Sequence, residues 1–304
     1  MVFRFIAAIP LVVAVVAHTS QSGTLRPDPP MTCPSCDEWN AAREPFRVFA
    51  NTYFVGTMGL GAVLIASKDG HILLDGGLPQ TAESIDRSVR ALGFKVADIK
   101  VIVNSHAHYD HAGGISALQR ASGGVVASSP SGAQALERGE PTDDDPQFAF
   151  GRAANAYPRV AKVRVVADGE AVRVGELSIV AHFTPGHTPG STTWSWRSCE
   201  GERCLDLVYA DSLNPVSAPS FRFTDHKGRV ESFKRSIATV EKLPCDILLT
   251  VHPEMSGLAD KLRRRAEKPA ADPFIDAGSC RTYAATAKST LDKRIAEEQN
   301  AKKQ

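Results

Sequence analysis

Eleven residues from Asn104 to Gly114, NSHAHYDHAGG, set the tightest limit on what this chain can fold into. Between position 106 and position 111 they supply His106, His108, Asp110 and His111, four metal-ligand side chains with no cysteine among them. Val101-Ile102-Val103 runs up to the loop and reads as a short buried strand. After it, Ile115 and Leu118 stand at helical spacing. The ligands therefore sit where a strand ends and the chain turns toward a helix. A lone histidine in a turn is usually an ordinary polar surface residue; four such side chains packed this closely read as a metal site. Imidazole with carboxylate suits zinc, with iron or manganese as lesser candidates.

His106 and His108 are two apart, so on extended backbone they point the same way, while Asp110 and His111 follow a turn and aim elsewhere. The economical arrangement is two ions side by side, each with two ligands from the loop. Each ion then needs a third ligand from further along the chain. His187 in TPGHTPGS and His252 in LLTVHPE both follow apolar, β-prone runs, again at strand ends. His18, His71 and His182 are left out of the site, and His226 in TDHKG reads as a surface turn near the substrate side.

A chain of 304 residues with 43% hydrophobic residues can bury a substantial core, and a formal charge of +1 argues against a nucleic-acid or other polyanionic partner. Residues 1–17, MVFRFIAAIPLVVAVVA, read as a secretory signal peptide cut after Ala17, since a span needs about 20 apolar residues. Export to the periplasm makes disulfides available to the six cysteines. Cys199 and Cys204 read as a hairpin staple, and Cys245 with Cys280 as a tie on the last helix. Cys33 and Cys36 read as a third local bridge, although C-x-x-C also occurs in redox and zinc sites and six cysteines allow many pairings.

Residues 18–44, polar and proline-rich, read as an extended arm over a single domain at 45–304. Strands are expected at Val48–Phe49, Thr52–Val55, Ala62–Ala66, His71–Leu74, Lys100–Val103 and Val125–Ala127, with helices at Thr81–Leu92 and 131–137. The second half repeats the scheme, strands at Lys162–Val166, Ala171–Val174, Leu177–His182, Thr192–Trp196, Asp206–Ala210 and Asp246–Val251, helices at Val230–Leu243, Gly257–Ala266 and Arg281–Gln299. Two sheets face to face with helices outside satisfy this order. The irregular stretch between Gly139 and Pro158 reads either as a lid beside the metals or as a solvated insertion. Asp75, ending a strand in LLDGG, reads as a turn residue or as support for a ligand.

Taken together, the H-x-H-x-D-H loop, LLDGG, TPGHTPG and the late Val251-His252-Pro253 resemble the metallo-β-lactamase superfamily from about residue 45 to residue 285. Ala50–Thr57 (ANTYFVGT), AHYDHAGG, VYADSL at Val208–Leu213 and the cysteine pairs 199/204 and 245/280 resemble subclass B3. The resemblance implies an αββα sandwich with a dinuclear zinc site at one edge of its sheets. It assigns His106, His108 and His187 to the first zinc and Asp110, His111 and His252 to the second. Ser212 falls where related B1 enzymes place a cysteine ligand; Asn214 replaces a second serine that, in some B3 enzymes, helps to hold the substrate carboxylate. Thioesterases of the superfamily bridge their metals with an aspartate near Asp211, and whether Asp211 or Ser212 faces the metals is left open, with Ser212 favoured. The implied activity is hydrolysis of the β-lactam amide bond of carbapenems, penicillins and cephalosporins by a hydroxide shared between the zincs, with Asp110 orienting it, in a monomeric resistance enzyme. No S-x-x-K acylation motif occurs. The alternatives are a lactonase or thioesterase on the same fold and a zinc-binding protein without catalysis.

Overall fold

Runs of β-branched and aromatic residues separated by glycine turns pair into two sheets in the computed structural model, which describes residues 24–268 and 272–302. Residues 1–17, expected as a signal peptide, and His18 lie outside the described residues. The first sheet holds β1 (Phe46–Phe49), β2 (Thr52–Phe54), β3 (Val63–Ile65), β4 (His71–Leu74), β5 (Ile99–Val103), β6 (Val125–Ser128) and β7 (Val163–Val165), in that spatial order. Neighbours are antiparallel as far as β4 and parallel from β4 to β7. The second sheet runs β12-β11-β10-β9-β8, from β8 (Ala171–Val174), β9 (Leu177–Phe183), β10 (Thr192–Glu200), β11 (Arg203–Ala210) and β12 (Ile247–Thr250). Only its β11–β12 pair is parallel.

The helices are α1 (Cys36–Trp39), α2 (Thr81–Ala91), α3 (Tyr109–Ala112), α4 (Ile115–Ser122), α5 (Pro130–Arg138), α6 (Arg152–Asn155), α7 (Lys227–Lys242), α8 (Leu258–Glu267) and α9 (Ser279–Ala301). Phe54, Ile72, Leu74, Trp194, Leu207 and Leu249 fill the space between the sheets. Ile85 and Val89 of α2, Leu118 of α4 and Leu136 of α5 cover the outer face of the first sheet at Leu73, Ile102 and Val126. On the far side Phe233, Ile237, Tyr283 and Leu291 of α7 and α9 cover Val208 and Leu248. The result is the expected four-layer αββα sandwich. Because helices cover one face and the opposite sheet covers the other, every residue of β4 and β12 is buried, which explains the apolar runs Ile72–Leu74 and Ile247–Leu249. Val230, Phe233, Ile237 and Val240 keep the three-and-four spacing that turns one stripe of α7 inward.

Only the end of the described arm departs from the extended reading, at α1 and its flanking turns. Cys33 and Cys36, three residues apart, are joined and close a turn that starts α1, and Cys36 buries against Leu60 and Leu78. Cys199–Cys204 staples β10 to β11 across a directly paired position, and Cys245–Cys280 ties the first turn of α9 to the lead-in of β12. The irregular stretch after Gly139 contains a helical turn at Phe148–Phe150 and then α6. Among the described residues no helix is long and apolar enough to cross a membrane.

Candidate metal centre

Strand ends gather at one edge of the sandwich, and the loop after β5 is fastened there by Asp75. This residue ends β4 with a positive φ of 61°, a conformation uncommon outside glycine. Its buried carboxylate accepts from Asn104 Nδ2 (3.0 Å), the Ser105 amide (2.7 Å), the Ser105 hydroxyl (2.6 Å) and the Tyr209 hydroxyl of β11 (2.9 Å). One side chain thereby locks the loop to both sheets. Burial still pushes its carboxyl up to about 6, against the pull of these donors and of His111. Asp75 supports the backbone that carries the ligands rather than touching a ligand itself. Gly114 is needed here as well, since a Cβ would lie 2.3 Å from the Gly76 carbonyl oxygen.

Six side chains converge above this loop. His106 and His108 leave the end of β5, Asp110 and His111 lie on α3, His187 sits in the β9–β10 turn, and His252 follows β12. The rings of His106, His108 and His187 stand 4.7 to 5.0 Å apart, with ligand atoms within 4.8 Å of one another. His106, Asp110 and His111 make a second such group. His252 Nε2 completes that side, 3.3 Å from His111 Nε2 and 3.4 Å from Asp110 Oδ2. All six side chains are buried or nearly so.

Most of the imidazoles have their outward nitrogen engaged. His106 Nδ1 donates to Asp211 Oδ1 (2.6 Å), and His108 Nε2 faces both oxygens of Asp145 (3.2 Å). His187 Nδ1 donates to the Asn214 carbonyl (2.7 Å), and His252 Nδ1 to the Gly59 carbonyl (3.1 Å). Such partners set ring orientation and leave the inward nitrogen with its lone pair. The inward nitrogen of His106 is buried without a hydrogen-bond partner. His111 and His252 point Nε2 atoms at each other beside a carboxylate oxygen. Bare lone pairs crowded in a buried site are the arrangement that a cation relieves, so the residues fit a divalent metal.

Electrostatics agree with that fit at His187, His106 and Asp110. Burial, with His106 and His108 alongside, lowers the His187 imidazole to about 3, and burial with His111 and His108 nearby holds His106 well below its usual value. Both rings are therefore neutral at pH 7, with a lone pair available to a cation. Burial alone would push the Asp110 carboxyl up, but His111 and His252 against it hold it well below the usual carboxylate range. At His108 the sign is the opposite: Asp145 outweighs burial and raises the imidazole, favouring its protonated form in the absence of a cation.

The metallo-β-lactamase superfamily model matches residues 62–252. The chain belongs to the metallo-β-lactamase superfamily. Among solved structures of the family it is similar to the Rm3 metallo-β-lactamase, at 47% identity over 88% of this chain and 100% of that one, with a TM-score of 0.85. It is also similar to MEM-A1, a subclass B3 metallo-β-lactamase from a soil metagenome library, at 46% identity over 86% and 99%, with a TM-score of 0.82. A hydroxyacylglutathione hydrolase of Anaeromyxobacter dehalogenans is 31% identical over 191 residues, 62% of this chain and 58% of that protein. The chain spans little more than half the length of the curated relatives it matches first.

Within this family framework, Asp211 and Ser212 take different places. The Asp211 carboxylate reaches His106, whereas the Ser212 hydroxyl accepts from the Asn214 amide at 3.4 Å. Sequence reasoning missed Asp145 altogether. Its only signal was membership of an acidic run, Asp143-Asp144-Asp145, in the stretch read as a lid or insertion. That stretch folds against the centre: beside Asp145, the Gln147 amide lies 3.4 Å from His108 Nδ1 and 3.5 Å from His187 Nε2. The remaining histidines among the described residues lie apart. His182 bonds to the Ser195 hydroxyl (2.7 Å), His71 packs on Phe94, and His226 stacks on Phe221.

Proposed function

We propose that this protein is a secreted, zinc-dependent β-lactamase that hydrolyses the amide bond of carbapenems, penicillins and cephalosporins and so confers resistance. The observation that carries the reading is a pair of adjoining ligand clusters, His106/His108/His187 and Asp110/His111/His252, in a chain that overlays nearly whole subclass B3 enzymes. Those two sets are proposed to hold one zinc each. When bound, the two ions supply Lewis acidity and ionise water near neutral pH.

The protein's own groups then have assignable tasks. Asp145, Asp211 and the Asn214 carbonyl hold His108, His106 and His187 in the orientation that presents a lone pair inward. The ionised Asp110 carboxylate is the acceptor that orients the attacking water. The half-buried side chain of Asn214, with Ser212 beside it, is proposed to meet the carboxylate of the substrate. Residues 1–17 are proposed as a cleaved signal peptide delivering a monomeric domain, 45–304, to the periplasm, with small-molecule substrates as its partners.

The second reading, a thioesterase, draws on the hydroxyacylglutathione hydrolase relative. Against it stands the engagement of Asp211: its Oδ1 is taken up by Nδ1 of His106, the ring nitrogen turned away from the unpartnered Nε2. Turnover of a panel of carbapenem, penicillin, cephalosporin, lactone and glutathione thioester separates the two. β-Lactams are expected to be the best substrates, and a preference for the thioester would replace the proposal. Within the β-lactamase reading, Asp145→Ala is expected to lower kcat/KM by about 10–100-fold by freeing the His108 ring, with Asp145→Asn milder because an amide oxygen still accepts from Nε2. Steady-state kinetics of both variants checks this.

A further inference from the structure

Two of the outer partners of the histidines, Asp211 and Asn214, lie on a segment that is itself held, and the holding element is the C-terminal helix. Between Ala210 and Lys227 the chain has no strand and only one turn of helix, at Phe223–Asp225. This segment nevertheless carries Asp211, the partner of His106, and Asn214, the partner of His187. A segment without a ladder of its own needs outside hydrogen bonds to keep a fixed position.

Three side chains of α9 provide them. The Tyr283 hydroxyl donates to the Asp211 carbonyl (2.7 Å) and accepts from the Leu213 amide (3.0 Å). Arg294 reaches the stretch beyond Asn214: Nη1 donates to the Pro215 carbonyl (3.1 Å) and Nη2 to the Ser217 hydroxyl (2.7 Å). Its guanidinium also lies 5.3 Å from the centre of the Phe223 ring. Glu298 pairs with Arg294 Nε (2.6 Å) and, nearly buried, accepts from the amides of Phe223 (3.1 Å) and Thr224 (2.8 Å). One guanidinium thus fixes the residue that follows Asn214 in the chain, and the Asn214 carbonyl in turn fixes His187 Nδ1.

We infer that Arg294 is a positioning residue for the His187 imidazole, acting through Pro215 and Asn214 on the cluster His106/His108/His187. The inference rests on the metal-centre reading proposed above. Arginine suits the task because its planar fork serves several acceptors at fixed angles, whereas a lysine ammonium in the same place reaches fewer of them.

Arg294→Met keeps the aliphatic stem and removes the fork. Two readouts follow, both independent of turnover. In the metal-free protein, imidazole nitrogen chemical shifts report whether His187 keeps its proton on Nδ1; the wild type is expected to hold that single tautomer and Arg294→Met to show a mixture. In titrations with zinc against a chromophoric chelator, the wild type is expected to take up zinc in two steps. Arg294→Met should weaken one step by about tenfold and leave the other in place, with Arg294→Lys in between. An unchanged tautomer with unchanged zinc affinity overturns the inference, even if thermal stability falls, because a merely structural role predicts only that fall. Should Arg294→Met not fold, Arg294→Lys carries both readouts in its place. Failure of the wild type to bind zinc would instead sink the metal-centre reading, a different result from binding that Arg294→Met leaves unaltered.

Discussion

Asp110→Ala is expected to lower β-lactam hydrolysis by roughly a thousandfold, the loss that corresponds to several kcal/mol of transition-state stabilisation. Asp110 is the one anion among the six converging side chains, and its Oδ2 lies 3.3 Å from His111 Nε2 and 3.4 Å from His252 Nε2. Without it two buried imidazoles face each other at 3.3 Å with no counter-charge between them. A cation at that cluster would lose its only charged ligand, and the attacking water would lose its acceptor. Zinc content should therefore fall from two per chain toward one in parallel with the rate. Asp110→Asn, which preserves shape but not charge, should behave like the alanine variant. Wild-type turnover in either variant would remove Asp110 from the proposed mechanism.

Stripping the protein with a chelator is expected to abolish hydrolysis and lower the melting temperature, and two equivalents of zinc should restore both. The sign follows from linkage: an ion that binds the folded chain and not the unfolded one adds stability that disappears when it is withdrawn. With free zinc at a thousand times its dissociation constant, each site contributes about 4 kcal/mol, or on the order of 10 °C for a domain of this size. The buried, unpartnered His106 Nε2 and the opposed nitrogens of His111 and His252 are the groups left exposed to one another in the stripped protein. Calorimetry with and without chelator measures the shift. An unmoved melting temperature contradicts a metal centre, and full activity with a single equivalent of zinc contradicts a dinuclear one.

Local order in this chain follows from local pattern. The apolar runs at His71–Leu74 and Ile247–Thr250, the inward stripe of α7 and the ligand-dense loop after β5 each carry a period or a composition that a short window reveals. Helix and strand expectations accordingly fall within a few residues of the observed elements. The arm is the exception, because a disulfide across three residues folds part of it into a helical turn that no apolar period announces.

What the residues in sequence determine by themselves is the chemistry on offer: imidazoles and a carboxylate crowded into one loop, and two more histidines at the ends of apolar runs. Which groups stand behind those imidazoles was decided only by the tertiary structure. Asp145 meets His108 across 37 residues and Asp211 meets His106 across 105, while the Gly59 carbonyl that receives His252 Nδ1 is 193 residues away. Backbone carbonyls such as those of Gly59 and Asn214 have no side-chain signature at all, since every residue carries one. The reason is physical: a ligand must be a particular side chain, whereas its support need only be an acceptor at the right point in space, and points in space are set by the packing of two sheets and by α9 against them.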